Sequence, residues 1–188
     1  RDPVISGDGN RIAFVSDSSN LGGPGGTDSI YVRNLTTSET YYASRQSGPA
    51  GTSANFASGG PQLDFTGSKV VFYSYANNLS PDDPTNSSSI YLRDLGSNET
   101  SLLSRRPGPS GTNLSDSTYD PTINGDGTRV AFEAEDQAAV PDSGMWPAGY
   151  AQIVVRNLTD GINQLASKSA DGQPGITSSR DPSLSRDG

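Results

Sequence analysis

Three carboxylates fall within four residues at Glu133, Glu135 and Asp136. Paired carboxylates are what glycoside hydrolysis uses, one as the acid and the other as base or nucleophile. The cluster occurs only once along the chain, and nothing elsewhere accompanies it, so no catalytic residue is assigned. Histidine and cysteine are both absent. Their absence removes Ser-His-Asp and Cys-His catalysis within this chain, along with His-ligated zinc, thiolate ligands and disulfides.

Asp-Gly recurs at Asp8-Gly9, Asp126-Gly127 and Asp187-Gly188, with Thr66-Gly67 in the matching place. A calcium loop needs alternating oxygen ligands before a downstream acid. A two-residue Asp-Gly step is instead the signature of a tight hairpin. Asp82, Asp83 and Asp142 lie in longer polar segments (DDPTNSS, DSGMWPAGYA) and are the residues through which Ca²⁺ could be held. Too few acids sit at ligand spacing there, so no metal ligand and no cofactor is assigned.

Six Asn-x-Ser/Thr acceptor motifs for N-glycosylation occur, at Asn34, Asn78, Asn86, Asn98, Asn113 and Asn157, all in expected turns or loops. Asn34, Asn78 and Asn157 are also accounted for by a recurring Asn-Leu step. Met145 and Trp146 are the only Met and Trp, and Tyr150 follows them in the longest loop. Exposed, such side chains anchor a protein or glycan partner; turned inward, they cap their own sheet. Arg33, Arg93 and Arg156 recur beside an apolar pair. They either face an acidic ligand or tie one unit to the next through an Asp such as Asp2, Asp120 or Asp181.

The elements that must position these residues come from a repeat. The chain opens on RDPVISGDG and residues 180–188 read RDPSLSRDG, a match in register that marks the start of another copy. Each unit begins at a proline (Pro3, Pro61, Pro121, Pro182), passes a Gly turn at Gly9, Gly67, Gly127 or Gly188, and enters an apolar strand: IAFV, VVFY, VAF. A third strand reads IYVRNL, IYLRDL, IVVRNL, and a fourth TYYASR, TSLLSR, NQLASK. Four short antiparallel strands per unit predict an all-β chain of β-propeller blades. Three four-stranded antiparallel blades are expected at residues 1–58, 59–119 and 120–179. Residues 180–188 form the first strand of a fourth, starting a further blade or completing a neighbouring copy. A β-sandwich is the alternative architecture, although it does not require near-identical units. Connections between strands one and two, and three and four, are short and share one face. The long ones, 17–29, 46–59, 75–89, 106–119, 135–151 and 169–180, share the other, where binding usually resides.

Composition agrees with a polar-loop β protein: 31% of residues are hydrophobic, beside 22 Gly and 13 Pro. A formal charge of −8 with scattered Arg argues against nucleic acid and anionic lipid as partners. No segment has the roughly 20 apolar residues of a membrane span. Beginning at Arg1 with no signal peptide, the sequence reads as a mature or excised segment. Three blades also fall short of the four to eight of a closed ring. The chain is therefore expected to be part of a longer propeller, or to self-associate as a 3+3 ring or a head-to-tail filament.

The pattern P-x-[IL]-S-x-D-G-x-[RK]-[IV]-A-F…I-Y-V-R-[DN]-L…S-R resembles the TolB-type β-propeller repeat, a relative of the WD-type repeat. Ser16–Leu21 (SDSSNL) and Ser74–Leu79 (SYANNL) are similar to the S-D-A-S-N-L loop of its long-blade form in bacterial surface and secreted proteins. The third copy, AEDQAAV, departs from it. The resemblance implies a non-enzymatic module, extracellular, at the cell surface or periplasmic, that binds or scaffolds a protein or glycan partner. A self-assembling surface filament, and the propeller domain of a larger peptidase-type hydrolase, are the alternatives.

Overall fold

The computed structural model describes residues 1–108 and 110–188. Three four-stranded antiparallel sheets follow one another along the chain, each in simple up-and-down order. Blade 1 contains β1 (Val4–Ile5), β2 (Arg11–Ser16), β3 (Ser29–Asn34) and β4 (Thr40–Tyr42). Blade 2 contains β5 (Ser58–Leu63), β6 (Lys69–Ser74), β7 (Ser89–Asp94) and β8 (Glu99–Leu102). Blade 3 contains β9 (Thr118–Ile123), β10 (Arg129–Ala134), β11 (Gln152–Asn157) and β12 (Asn163–Leu165). The first strands β1, β5 and β9 neighbour one another at the centre of an open arc, and the fourth strands lie at its rim.

The apolar runs of the second strands are buried on both faces in blades 2 and 3, whereas Ile12 and Phe14 in blade 1 are half-buried. One core joins Ala13, Val15, Ile30 and Val32 of blade 1 to Val70, Phe72 and Tyr91 of blade 2. The other joins Val71, Ile90 and Leu92 of blade 2 to Val130, Phe132 and Val154 of blade 3. Successive residues of one strand thus serve two different inter-blade cores, as the period of two requires.

The first strand is more than an apolar stub in blades 2 and 3, where it runs six residues and carries a bulge. The register shift lies between Gly59 and Gln62 in β5, and opposite Ala131–Glu133 in β9. Gly60 and Asp120 occupy these bulges with φ of 58° and 47°, each followed by a proline. A bulge with a positive-φ residue is where Pro, lacking a ladder donor, fits a strand. Asp2 and Asp181 hold the same conformation at φ 49° and 54°.

Among the described residues no helix is long and apolar enough to cross a membrane.

Candidate functional site

The recurring arginines explain how one blade grips the next. Arg93 is 2% exposed, and its guanidinium reaches back to blade 1. Nη1 donates to the Gln46 carbonyl and Nη2 to the Gly48 carbonyl, each at 3.0 Å. Within its own blade, Nη1 also donates to Asn98 O at 2.8 Å and to Thr100 Oγ1 at 3.1 Å. Arg156 repeats the arrangement one blade on, donating to Arg106 O at 3.4 Å and Gly108 O at 3.0 Å. Two backbone bonds complete the clamp: Gly48 N donates to Asn98 O, and Gly108 N to Gly161 O. The expected blade-to-blade tie is therefore present, but its acceptors are carbonyls. Asp120 is instead a bulge residue at the centre, and Asp2 shares its positive φ, a backbone conformation that Gly60 also adopts. Arg33 Nη1 donates to Thr40 Oγ1 at 3.0 Å, its one side-chain hydrogen bond among the described residues.

A second tie runs along the tight-turn face, and the sequence reading missed it. Arg11 Nη1 donates to Gly67 O at 2.9 Å, Lys69 Nζ to Gly127 O at 3.0 Å, and Arg129 Nη1 to Gly188 O at 3.0 Å. The signal was the basic residue two or so places after each turn glycine. Likewise Ser44, Ser104 and Ser167, from the recurring Ser-Arg/Lys step, accept the Ile30, Ile90 and Ile153 amides through Oγ.

The long-loop face carries most of the exposed large apolar side chains. Trp146 does not face outward: it is 2% exposed and belongs to the core between blades 2 and 3. Its carbonyl accepts from Gln137 Nε2, so the loop after β10 is pinned from below. Met145 is thereby left 85% exposed and Tyr150 41%. Ile176, 79% exposed, stands on the neighbouring loop; a Cβ on Gly144 would lie 3.4 Å from Pro174 Cδ, so the two loops touch. Phe56, 47% exposed, occupies the connection between β4 and β5 on the same face.

The acidic residues part company in the fold. Asp136 starts a short 3₁₀ turn and accepts from Ala138 N, and also from Ser115 N and Oγ. Glu133 is buried and accepts the Asp181 amide at 2.9 Å. Each carboxylate is thus engaged by backbone amides of its own neighbourhood. Asp82 pairs with Arg105. Asp83 is fully buried, accepting from Tyr91 Oη at 2.6 Å, Asn113 Nδ2 at 2.7 Å and Thr85 Oγ1 at 2.8 Å. Burial and the Asp83 bond push the Tyr91 phenol far above its ordinary value. Asp142 is exposed. Among the described residues, the acidic group whose oxygens converge within 4.8 Å is Asp120, Glu133 and Asp181, at the centre of the arc.

The six acceptor asparagines differ in what their amides do. Asn78 Nδ2 donates to Ser53 O, Asn113 Nδ2 to Asp83 and Asn157 Nδ2 to Asp160. Asn34 Oδ1 caps its own turn through Thr36 N and Thr37 N, and Asn98 Oδ1 accepts from Arg93. Asn86 is exposed and, among the described residues, makes no side-chain hydrogen bond.

No family model matches the chain, and no curated protein matches it. Among solved structures, the putative TolB from Agrobacterium tumefaciens is similar with a TM-score of 0.55 at 16% identity, covering 90% of this chain and 46% of its own. The β-propeller domain of the Trilobed protease from Pyrococcus furiosus is similar with a TM-score of 0.52 at 14% identity, covering 88% and 42%. The chain therefore spans less than half the length of either. What the likeness carries is architecture: this chain has the fold of the TolB-like β-propeller, three blades of it set in an open arc.

Proposed function

We propose that this chain is a non-enzymatic, extracellular or periplasmic propeller module that binds a protein partner through its long-loop face. The observation that carries the reading is the row of exposed Met145, Tyr150 and Ile176 on adjoining loops, held out by the buried Trp146. Isolated exposed apolar residues are ordinary, but neighbouring ones on a rigidly pinned loop face form a contact patch. The net charge of −8 favours a partner with a basic or neutral surface. The β-propeller domain of a protease is among the similar folds. That favours a second reading, in which these blades serve a larger hydrolase whose chemistry lies in another domain.

The test compares the chain with a Met145→Glu/Ile176→Glu variant as baits on the envelope and secreted fractions of the source cells. A partner retained by the parent and reduced at least about tenfold by the variant supports the reading, since a central anchor is worth about 2 kcal/mol or more. Equal retention by both baits rejects the loop face as the contact surface. Retention that a glycosidase abolishes would make the ligand a glycan.

A further inference from the structure

The two junctions between consecutive blades hold equivalent cavities, and they differ in how a pair of positive charges is met. Between blades 2 and 3 a cavity of 550 Å³ is walled by Arg105 and Arg156. Between blades 1 and 2 a cavity of 220 Å³ is walled by their equivalents, Arg45 and Arg93. In each, the arginine of the third strand reaches back to the preceding blade, and the arginine that follows that blade's fourth strand stands beside it. The guanidinium charges are close enough to be felt: after burial itself, Arg45 helps to lower the pKa of Arg93, and Arg105 that of Arg156.

Between blades 2 and 3 the chain supplies its own counter-charge. Asp82, Asp94 and Glu99 line that cavity together with Lys69, and the Asp82 carboxylate pairs with Arg105. Asp82 stands three places after Leu79 in the loop that follows β6; three places after the equivalent Leu21 stands Pro24, within GGPGG. No acidic residue lines the cavity of Arg45 and Arg93, and neither arginine has an ion pair among the described residues. Asp94 acts on Arg93 only through space, and Glu39 is taken by the Thr37 and Tyr41 hydroxyls. Arg45 spends Nε on Gly51 O at 3.0 Å, which leaves both its Nη groups without a partner among the described residues. Its guanidinium is held over the Tyr42 ring, with Cζ 5.6 Å from the centroid. Two further polar atoms on side chains of the same wall, Arg93 Nε and Tyr42 Oη, are buried and unpartnered among the described residues.

We propose that the cavity between blades 1 and 2 binds the carboxylate of an acidic ligand, which Arg45 holds as Arg105 holds Asp82. The two Nη groups of Arg45 form the fork that a planar carboxylate accepts in pairs, and Arg93 adds its charge from the wall. A volume of 220 Å³ is below that of a drug-sized site, so it suits a small organic acid or a single acidic side chain. The net charge of −8 does not forbid this. Salt screens exposed charges beyond about 8–10 Å, so the two guanidinium groups set the local field. The site lies on blades 1 and 2, apart from the Met145, Tyr150 and Ile176 patch of blade 3.

Nitrogen–proton NMR of the arginine Nε–Hε groups tests this on the 188-residue chain. The probes are acetate and a blocked Gly-Glu-Gly tripeptide, each compared with sodium chloride at equal ionic strength. The expected result is a saturable shift at Arg45 and Arg93, and a much smaller one at Arg105, where Asp82 is already seated. Arg45→Gln removes the fork and should weaken binding at least about tenfold. Pro49→Glu, at an exposed position of the cavity wall, leaves the fork intact and places a carboxylate beside it. It should weaken binding by a similar factor, and circular dichroism checks that both variants remain folded. Shifts no larger than those from sodium chloride, shifts that survive both substitutions, or an equal response at Arg105 would each overturn the site. Binding of the tripeptide at least about tenfold tighter than acetate assigns the carboxylate to an acidic side chain of a partner; a smaller ratio assigns it to a small free acid. None of these outcomes bears on the loop-face partner, which the Met145 and Ile176 substitutions probe separately.

Discussion

Arg93 and Arg156 place a positive charge where water scarcely reaches, and burial pushes both guanidinium pKa values down. What keeps them there is a set of carbonyl acceptors from two blades, Gln46, Gly48 and Asn98 around Arg93. Removing the donor takes the charged hydrogen bond from each of them. The Gly48 and Asn98 carbonyls keep one backbone donor each, Gly51 N and Gly48 N, while a carbonyl left unmet costs about 1–3 kcal/mol. Arg93→Ala is therefore expected to destabilise the chain by about 3 kcal/mol or more, read from the urea midpoint. Arg33→Ala should cost less than about 1 kcal/mol, because Thr40 is the one side-chain partner it loses among the described residues. Glu133 is the opposite kind of residue, a carboxylate where blades 1 and 2 carry Val15 and Tyr73. Burial raises its pKa, against the opposing bond from Asp181 N, with nearby Asp120 adding to the rise. Stability from a group with a raised folded pKa is full below the unfolded carboxyl value and is lost as pH rises through the folded one. Glu133→Gln keeps an oxygen for the Asp181 amide and removes the charge. It should raise the melting temperature at pH 7 and change little at about pH 4; equal shifts at both would show that charge is not the cost. Where a host glycosylates the chain, peptide mapping should find a glycan on Asn86 and none on Asn113, whose amide is spent on buried Asp83.

The tight turns show which parts of the elements were legible in the sequence. The Gly turns, the apolar second strands and the Arg-bearing third strands repeat in residue type, so superposing the units reveals them. The first strands are harder, because SGGPQL in β5 has a single large apolar residue and its identity depends on pairing with β6. The Asp/Gly alternation at Asp2, Gly60, Asp120 and Asp181 held the missing clue. Those two residue types share tolerance of positive φ, which points to a bulge rather than to a partner for arginine. The clamp was legible as a tie but not in its acceptors, since carbonyls leave no mark in side-chain identity. Trp146 was open to two placements because a loop's direction over its blade is set by tertiary packing. Among the turns, Gly67 combines φ 67° with a crowded surround: a Cβ there would stand 2.8 Å from Arg11 Cβ. Gly9 has a similar φ of 74° and open space. Gly9→Ala should cost about 1 kcal/mol from backbone strain alone. Gly67→Ala should cost about 2 kcal/mol or more, because it also pushes Arg11 off the Gly67 carbonyl. Thermal melts of the two variants rank them, and equal losses would mean the Arg11 latch contributes nothing.

At the scale of the whole molecule, the same inter-blade contact is formed twice within the chain. The nonapeptide 180–188 begins a third. It occupies the centre of one flank with the turn that residues 1–9 use at the other: Ser185 Oγ bonds Asp187 Oδ1 as Ser6 Oγ bonds Asp8 Oδ1, at 2.8 and 2.6 Å. The segment lies against blade 3 as β5 lies against β2 and β3, and β9 against β6 and β7. Four hydrogen bonds hold the nonapeptide and its lead-in residue among the described residues, each worth about 0.5–1.5 kcal/mol net before the entropy of ordering nine residues is subtracted. Ordering entropy offsets much of that gain, so removing residues 180–188 is expected to lower the stability of the chain by about 2 kcal/mol or less, read from the urea midpoint. A larger loss would mean that the segment is built into the core of blade 3 and is not an edge laid upon it.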